Sequence, residues 1–202
     1  MARRARIACK PLTPDRWDDF CAVMGPSGGC WGCWCMYWRA PRKDIAGPAR
    51  QSFKARMRAI IRNGPAPGLI GYRGAEPVGW VQVGPRPATP NWNGARRLSA
   101  PIDAGEADDA KIWAVSCFVV PRAHRGQGVA AALLEGAVKW ARKNRARFID
   151  GCPVETSDRA ANPASIYHGV ASMFESAGFK EIARRRADRP LMRLDLGSRT
   201  NY

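Results

Sequence analysis

The chain has 202 residues and carries 33 Lys and Arg against 17 Asp and Glu, a formal net charge of +16. That length suits one domain with a real core, and a 46% share of hydrophobic residues excludes a disordered chain. No run approaches the ~20 apolar residues of a membrane span, and the excess charge points to an anionic partner: a phosphate-bearing small molecule, a nucleic acid or an acidic surface. Of the 33 basic residues 26 are Arg, a bias that coding composition alone can produce. The seven cysteines are an odd number, and the basic start Met1 to Arg6 is not followed by the apolar core of a signal peptide. Both features predict a cytoplasmic protein.

Residues 5–9 read as a first strand. Thr13-Pro14-Asp15 then signals a helix start, with Thr13 as N-cap and Pro14 at the first helical position. Trp17, Phe20, Cys21 and Met24 follow at helical spacing until the stretch Gly25 to Gly32 breaks the pattern. Next comes a biased segment, Cys30-Trp31-Gly32-Cys33-Trp34-Cys35-Met36-Tyr37-Trp38. A second helix is predicted over 48–61. Residues 69–73 and 78–83 flank Gly74-Ala75-Glu76-Pro77 and read as a β-hairpin. Residues 85–110, rich in Pro, Asn, Gly and Asp, read as a loop. The nearly all-apolar run 112–120 reads as a central buried strand. Residues 129–143 form an amphipathic helix with Leu133, Leu134, Ala137, Val138 and Trp140 or Ala141 facing inward, and an outward Glu135–Lys139 pair. A second buried strand covers 147–154, a helix capped by Gly178 covers 163–177, and strands over 179–185 and 191–196 close the chain. The order β-α-α-β-β-β-α-β-α-β-β, with a strand-helix-strand unit over 112–154, predicts a single domain over 1–202. Its fold class is α/β, a mixed sheet with helices on both faces.

The segment from Val119 to Ala130 is the most informative. A buried strand ends, the turn Arg125-Gly126-Gln127-Gly128 follows, and a helix begins. A helix start leaves about four backbone N–H groups without partners, and no Ser, Thr, Asp or Asn stands here to cap them. Gly126 and Gly128 let the backbone bend and let a ligand come close. The helix dipole favours an anion by about 0.3–1 kcal/mol, and Arg122 and Arg125 add charge. These features predict a phosphate or diphosphate site. Two patterns compete for it. Gly126-x-Gly128-x-x-Ala131 fits the loose dinucleotide fingerprint, with Asp150 about 20 residues on. However, Pro121 to Arg125 separate the strand from the first glycine, and the repeated strand-helix units of a dinucleotide fold are missing.

The second pattern is Arg125-x-x-Gly128-x-Ala130, which resembles the acyl-CoA diphosphate loop of the GNAT acetyltransferase superfamily. Glu76-Pro77-Val78-Gly79-Trp80 resembles the turn and second strand of that family's early hairpin, and Phe174-x-x-x-Gly178-Phe179 its closing helix, turn and strand. The likeness extends over 5–196, and the element order matches. It implies a GNAT-like fold and an N-acetyltransferase that moves an acetyl group from acetyl-CoA directly to an amine. It places Phe118, Val119 and Val120 along the pantetheine arm, and Arg125, Gly126, Gln127, Gly128, Val129 and Ala130 around the diphosphate. Many members carry a Tyr as proton donor to the leaving thiolate where this chain has Phe174. Tyr167, two helical turns earlier on the predicted helix, is the substitute. Many members also carry a cofactor-touching Asn where Tyr167 stands, a contact that passes to Asn162. For the base that takes the amine proton, Glu155 comes first, then Asp150 and His168. Cys117, on a buried strand, reads as a small hydrophobe, because direct transfer needs no covalent enzyme intermediate.

Three readings of the Trp/Cys segment stay open. Its side chains pack in the core, or Trp31, Trp34 and Trp38 with Tyr37 wall an amine-binding site, or Cys21, Cys30, Cys33 and Cys35 hold zinc. The cysteine spacing is not that of a common zinc module, so no metal is expected. No motif names the acceptor: small amine, antibiotic, peptide N-terminus and protein lysine stay open, as do monomer and homodimer. A second functional class is a non-catalytic CoA-sensing or nucleic-acid-binding module on the same fold, motivated by Phe174 and the net charge. Against it stands the lack of a strongly basic helix with interleaved stacking aromatics.

Overall fold

The computed structural model describes residues 6–156 and 167–197. Its elements are β1 Ile7–Pro11, α1 Trp17–Met24, α2 Arg42–Ile45, α3 Phe53–Asn63, β2 Gly68–Arg73, β3 Glu76–Pro85, β4 Ile112–Val119, α4 Val129–Lys143, β5 Phe148–Gly151, α5 Ala171–Ser176, β6 Lys180–Arg184 and β7 Pro190–Asp195. The strands form one seven-stranded sheet ordered β1-β2-β3-β4-β5-β7-β6. Neighbours are antiparallel except β4 and β5, which are parallel. A parallel pair needs a long crossover, and α4 supplies it. This is the mixed α/β sheet that the element order predicts. No helix among the described residues is long and apolar enough to cross a membrane.

The helices divide between the two faces. Phe20 and Val23 of α1 and Phe53 and Met57 of α3 pack with Ile70, Trp80, Ala114 and Cys117 on one face. Leu133, Leu134, Ala137, Val138 and Ala141 of α4 pack with Leu69, Val81, Val83 and Val115 on the other. Trp140 is only partly buried, so Ala141 takes the inward position the two competed for. The helix lies close on the sheet because small residues permit it. A Cβ added at Gly136 would fall 2.6 Å from Cys9 Sγ, and one at Gly79 would fall 2.8 Å from Val129 Cγ1. The exposed Glu135–Lys139 pair, 3.9 Å apart, contributes little.

A bulge decides which side chains of β4 face which layer. Gln82 of β3 faces Cys117, while Val83 faces Val115, so Ser116 has no residue opposite it. An extra residue reverses the alternation beyond it. Cys117 therefore joins the face of Ala114, and Phe118 joins the face of Val115. Two hydrogen bonds hold the bulge: Ser116 Oγ donates to Gln82 Oε1 at 3.0 Å, and Gln82 Nε2 donates to the Cys35 carbonyl at 2.9 Å. On its other side β4 pairs with β5 only over Ile112–Val115. The last residues of β4 have no strand there, and a cleft opens.

Three local expectations are corrected. Thr13 does not cap a helix. A 3-10 turn over Pro14–Arg16 precedes α1, and the Thr13 hydroxyl accepts from the Arg16 guanidinium instead. The strand predicted over 147–154 stops at Gly151, and Val154 makes a single parallel bridge to Val170. The helix predicted over 163–177 begins at Ala171; residues 163–166 lie outside the described residues. Gly169, at φ +81°, breaks helical geometry. Its carbonyl accepts from the Val154 N–H at 2.9 Å, and the Ala171 N–H donates to the Val154 carbonyl at 2.8 Å. Those bonds draw the chain toward the sheet in place of a helical turn.

The connection between β3 and β4 has only short 3-10 turns, yet it is anchored firmly. Asp150 of β5 is fully buried and ion-paired with the equally buried Arg86, Nη2 to Oδ2 at 2.6 Å. Arg193 of β7 donates to the same carboxylate at 2.7 and 3.0 Å and reaches Glu106 with two bonds of 2.7 and 2.9 Å. Arg185 adds bonds to the Leu98, Ala100 and Pro101 carbonyls. Replacing Asp150 by Ala strands a buried Arg86, which should cost about 3–5 kcal/mol and appear as a lower urea midpoint. The hydrogen bonds from Arg193 hold the Glu106 carboxyl below its usual 4.5. Its contribution is therefore complete above that pH and is lost as pH falls through the lower folded value. Glu106→Gln should flatten that acid limb of a stability-against-pH curve.

Candidate functional site

Where β4 parts from β5, a cleft of about 1090 Å³ separates the end of β4 and the start of α4 from the segment that follows α1. Its first wall is the turn singled out in the sequence. Val120 leads into a short 3-10 turn, Arg122–His124, and Arg125 Nε donates back to the Val120 carbonyl at 3.0 Å. Gly126 and Gly128 both take positive φ, +67° and +77°, and no atom lies within 4 Å of a Cβ built on either. Gly128 is the residue before α4, and no side chain caps that helix. The arrangement leaves the helix start open to an anion. Phe118, Val119, Val120, Arg125, Gly126, Gly128, Val129 and Ala130 all line the cleft.

Two members of the predicted set behave differently. Gln127 does not line the cleft; its amide donates to the Ala123 carbonyl at 2.7 Å and braces the turn from behind. The Phe118 N–H already donates to the Tyr167 carbonyl at 2.6 Å, so that backbone donor is engaged within the chain. Asn162 lies outside the described residues. His124, which the sequence reading left without a role, lines the cleft and sits 3.5 Å from Glu76 of the β2–β3 hairpin.

The second wall comes from the Trp/Cys segment, and its three tryptophans separate. Trp31 stands at the mouth, 79% exposed, and Trp38 is a buried wall residue packed edge-on to Tyr37 with ring centroids 4.6 Å apart. Trp34 does not line the cleft. It stacks on Trp17 at 6.2 Å behind the wall, because Gly28 leaves room for its indole. Four cysteines reach the cleft: Cys30, Cys33, Cys35 and Cys117. Cys35 Sγ lies 3.9 Å from Cys117 Sγ and receives the Trp80 indole N–H at 3.2 Å. A hydrogen bond to Cys35 together with burial raises the Cys33 thiol, and a hydrogen bond to Cys117 together with burial raises Cys35, so both stay protonated. Among the described residues no group of three or more His, Cys, Asp or Glu is placed to hold a metal ion. Arg50 and Phe53 complete this wall. Nothing in their spacing marks them in the sequence; Arg50 lies in a 3-10 turn over Pro48–Ser52 and Phe53 opens α3 directly after it.

The candidate acid and bases are also resolved. Tyr167 lines the cleft, but from a turn and not from a helix; the Phe118 N–H holds its carbonyl there. Burial pushes its hydroxyl well above the ordinary 10. Phe174 is fully buried, its ring filling the space over Gly151 and meeting Phe118 and Phe179. Glu155 is outside the cleft, and its exposed carboxylate pairs with Arg184. Asp150 is consumed by Arg86 and Arg193. His168 lies behind Trp38, where burial, and then the charge of Arg189, press its pKa down to about 3. It is neutral at pH 7 and a poor base.

Comparison with known proteins agrees with this geometry. No curated protein sequence matches the chain. Its fold is similar to an N-acetyltransferase from Staphylococcus aureus Mu50, at a TM-score of 0.52 and 13% identity over 95% of this chain and 99% of that one. A GCN5-related N-acetyltransferase from Kribbella flavida is similar at 0.53 and 15% identity, over 94% and 97% of the two chains. A Salmonella typhimurium structure solved with its cofactor acetyl-CoA is similar at 0.50 and 16% identity, over 96% of each chain. The family model described as the acetyltransferase (GNAT) family matches residues 32–165, a span that holds the bulged strand and the glycine turn, and the chain belongs to that family.

Proposed function

We propose that this protein is an N-acetyltransferase that takes an acetyl group from acetyl-CoA and passes it directly to an amine held against the Trp/Cys wall. The observation that carries the proposal is the uncapped start of α4, with two left-handed glycines and Arg125, opening into the cleft. A diphosphate would sit on the N–H groups of Gly126 to Ala130, with Arg125 as counter-charge. The pantetheine arm would follow Val119 and Val120 along the unpaired end of β4. The Salmonella structure holds acetyl-CoA on a similar fold, which supports the choice of donor. The seven cysteines are all free thiols, which fits a cytoplasmic setting.

The chemistry needs an uncharged amine, a polarised thioester carbonyl and help for the departing thiolate. Tyr167 supplies the last. Its raised pKa keeps the hydroxyl protonated, so it serves as a hydrogen-bond donor to the thiolate and does not surrender its proton. Cys117 contributes packing beside Cys35, with no covalent step assigned to it.

Isothermal titration with acetyl-CoA should show binding. Absence of binding by a folded protein would overturn the donor assignment. Arg125→Glu should weaken that affinity about tenfold or more, since it replaces an attractive charge at the diphosphate with a repulsive one. Tyr167→Phe should lower kcat by roughly ten- to a hundredfold and leave acetyl-CoA binding nearly unchanged, as expected for a donor used mainly in the transition state.

A further inference from the structure

The wall that would receive the amine is apolar, and its charge is of the wrong sign for an ammonium ion. Among the described residues no Asp or Glu lines the cleft, whereas Arg50 does, its guanidinium donating to the Trp31 carbonyl of the Trp/Cys segment. The aromatic rings are not a vacant cation cage. The Arg97 guanidinium lies over both Tyr37 and Trp38, at 5.5 and 5.3 Å from their centroids, and Lys54 Nζ lies over Trp34 at 4.9 Å. A second cation brought to these rings would meet the first. Arg50 offers only donors, and an ammonium group also brings only donors.

Among the described residues no candidate base is placed at the Trp/Cys wall. Glu155 and Asp150 are tied to arginines, His168 is buried behind the wall, and His124 belongs to the glycine-turn wall, where it faces Glu76. An alkylamine arrives almost wholly protonated at pH 7, and none of these groups stands where it would draw off that proton. We infer that the acceptor is an arylamine: a flat apolar body whose nitrogen is already neutral at physiological pH because its lone pair is shared with the ring. This inference rests on the acetyl-CoA reading of the cleft. The ring would lie against Trp38 and Phe53, and a polar or anionic ring substituent would meet Arg50. The nitrogen lone pair bonds to the thioester carbon, and the C–S bond breaks with its electron pair going to sulfur. The proton shed by nitrogen balances that charge, so the products are an N-aryl acetamide and CoA thiol.

The test is a CoA-release assay on the whole protein at pH 7 with four amines, alongside acetyl-CoA calorimetry. 4-Methylaniline and 4-aminobenzoate should be acetylated, with kcat/KM about a hundredfold or more above 4-methylbenzylamine and propane-1,3-diamine, whose neutral fractions are small. Equal or better use of the alkylamines overturns the inference. Acetyl-CoA binding without arylamine acetylation overturns it too but leaves the donor assignment standing. Loss of acetyl-CoA binding overturns both. Arg50→Glu, checked for folding by acetyl-CoA binding, should narrow the aryl preference about tenfold by giving an ammonium a counter-charge. An unchanged preference removes Arg50 from the acceptor side.

Discussion

The fold of this acetyltransferase-family protein turns on how briefly two parallel strands stay together. β4 and β5 share hydrogen bonds over four residues each, and then β4 continues without that neighbour. An unpaired strand edge in a protein interior is costly unless something satisfies it. Tyr167 does part of this by accepting the Phe118 N–H, and the rest of the edge faces the cleft. The glycine turn, the open start of α4 and the Trp/Cys wall have a common space to address only because of that parting. The Asp150 ion network holds β5 to β7 and to the long connection just beside the parting point, so the opening sits on a rigid frame.

The net charge of +16 divides into distinct uses. Arg86 and Arg193 neutralise Asp150 inside the molecule. Half-buried Arg39 binds the Ala88 and Pro67 carbonyls, Arg185 clamps the long connection, and Arg189 reaches the Cys152 carbonyl. These are structural tasks, for which the planar, multi-donor guanidinium suits better than a lysine. Among the described arginines only Arg125 and Arg50 line the cleft. The charge is therefore weak support for a nucleic-acid partner, because much of its Arg content is spent on carbonyls and carboxylates of the chain itself.

The wall facing the turn is held in an uncommon backbone conformation. Trp31, Trp34 and Cys35 take φ of +59°, +44° and +55°, values that cost roughly 1–2 kcal/mol each for residues with a Cβ. They persist because the sheet grips the segment: Trp80 donates to Cys35 Sγ, Gln82 donates to the Cys35 carbonyl, and the Trp34 N–H bonds to Gly28. The bulge at Ser116 belongs to the same grip, since Ser116 orients Gln82. The strand that forms one wall thus fixes the shape of the other.

Much of this was legible in the residues. Helix α4 falls on its predicted bounds because its apolar residues recur at 3.6-residue spacing, and its buried set is the expected one, with Ala141 in the position left open and Val129 added. The hairpin, the buried strand 112–119 and the glycine turn follow from local patterns of the same kind, each confined to a short stretch of chain. What the sequence could not order were relations between distant segments. The bulge that sends Cys117 and Phe118 to opposite faces depends on pairing with β3, not on any signal in β4. Tyr167 was expected on a helix, but Gly169 and a bridge to Val154 made a turn of it. Glu155 and Asp150 looked like free carboxylates until Arg184, Arg86 and Arg193 came to them from 29, 64 and 43 residues away. Short-range periodicity and turn chemistry are written in neighbouring residues, so the sequence by itself determined most of the elements and the uncapped glycine turn before α4. Strand register, ion pairing and burial join residues far apart in the chain, so only the tertiary structure decided which side chains share the cleft and which are spent holding it open.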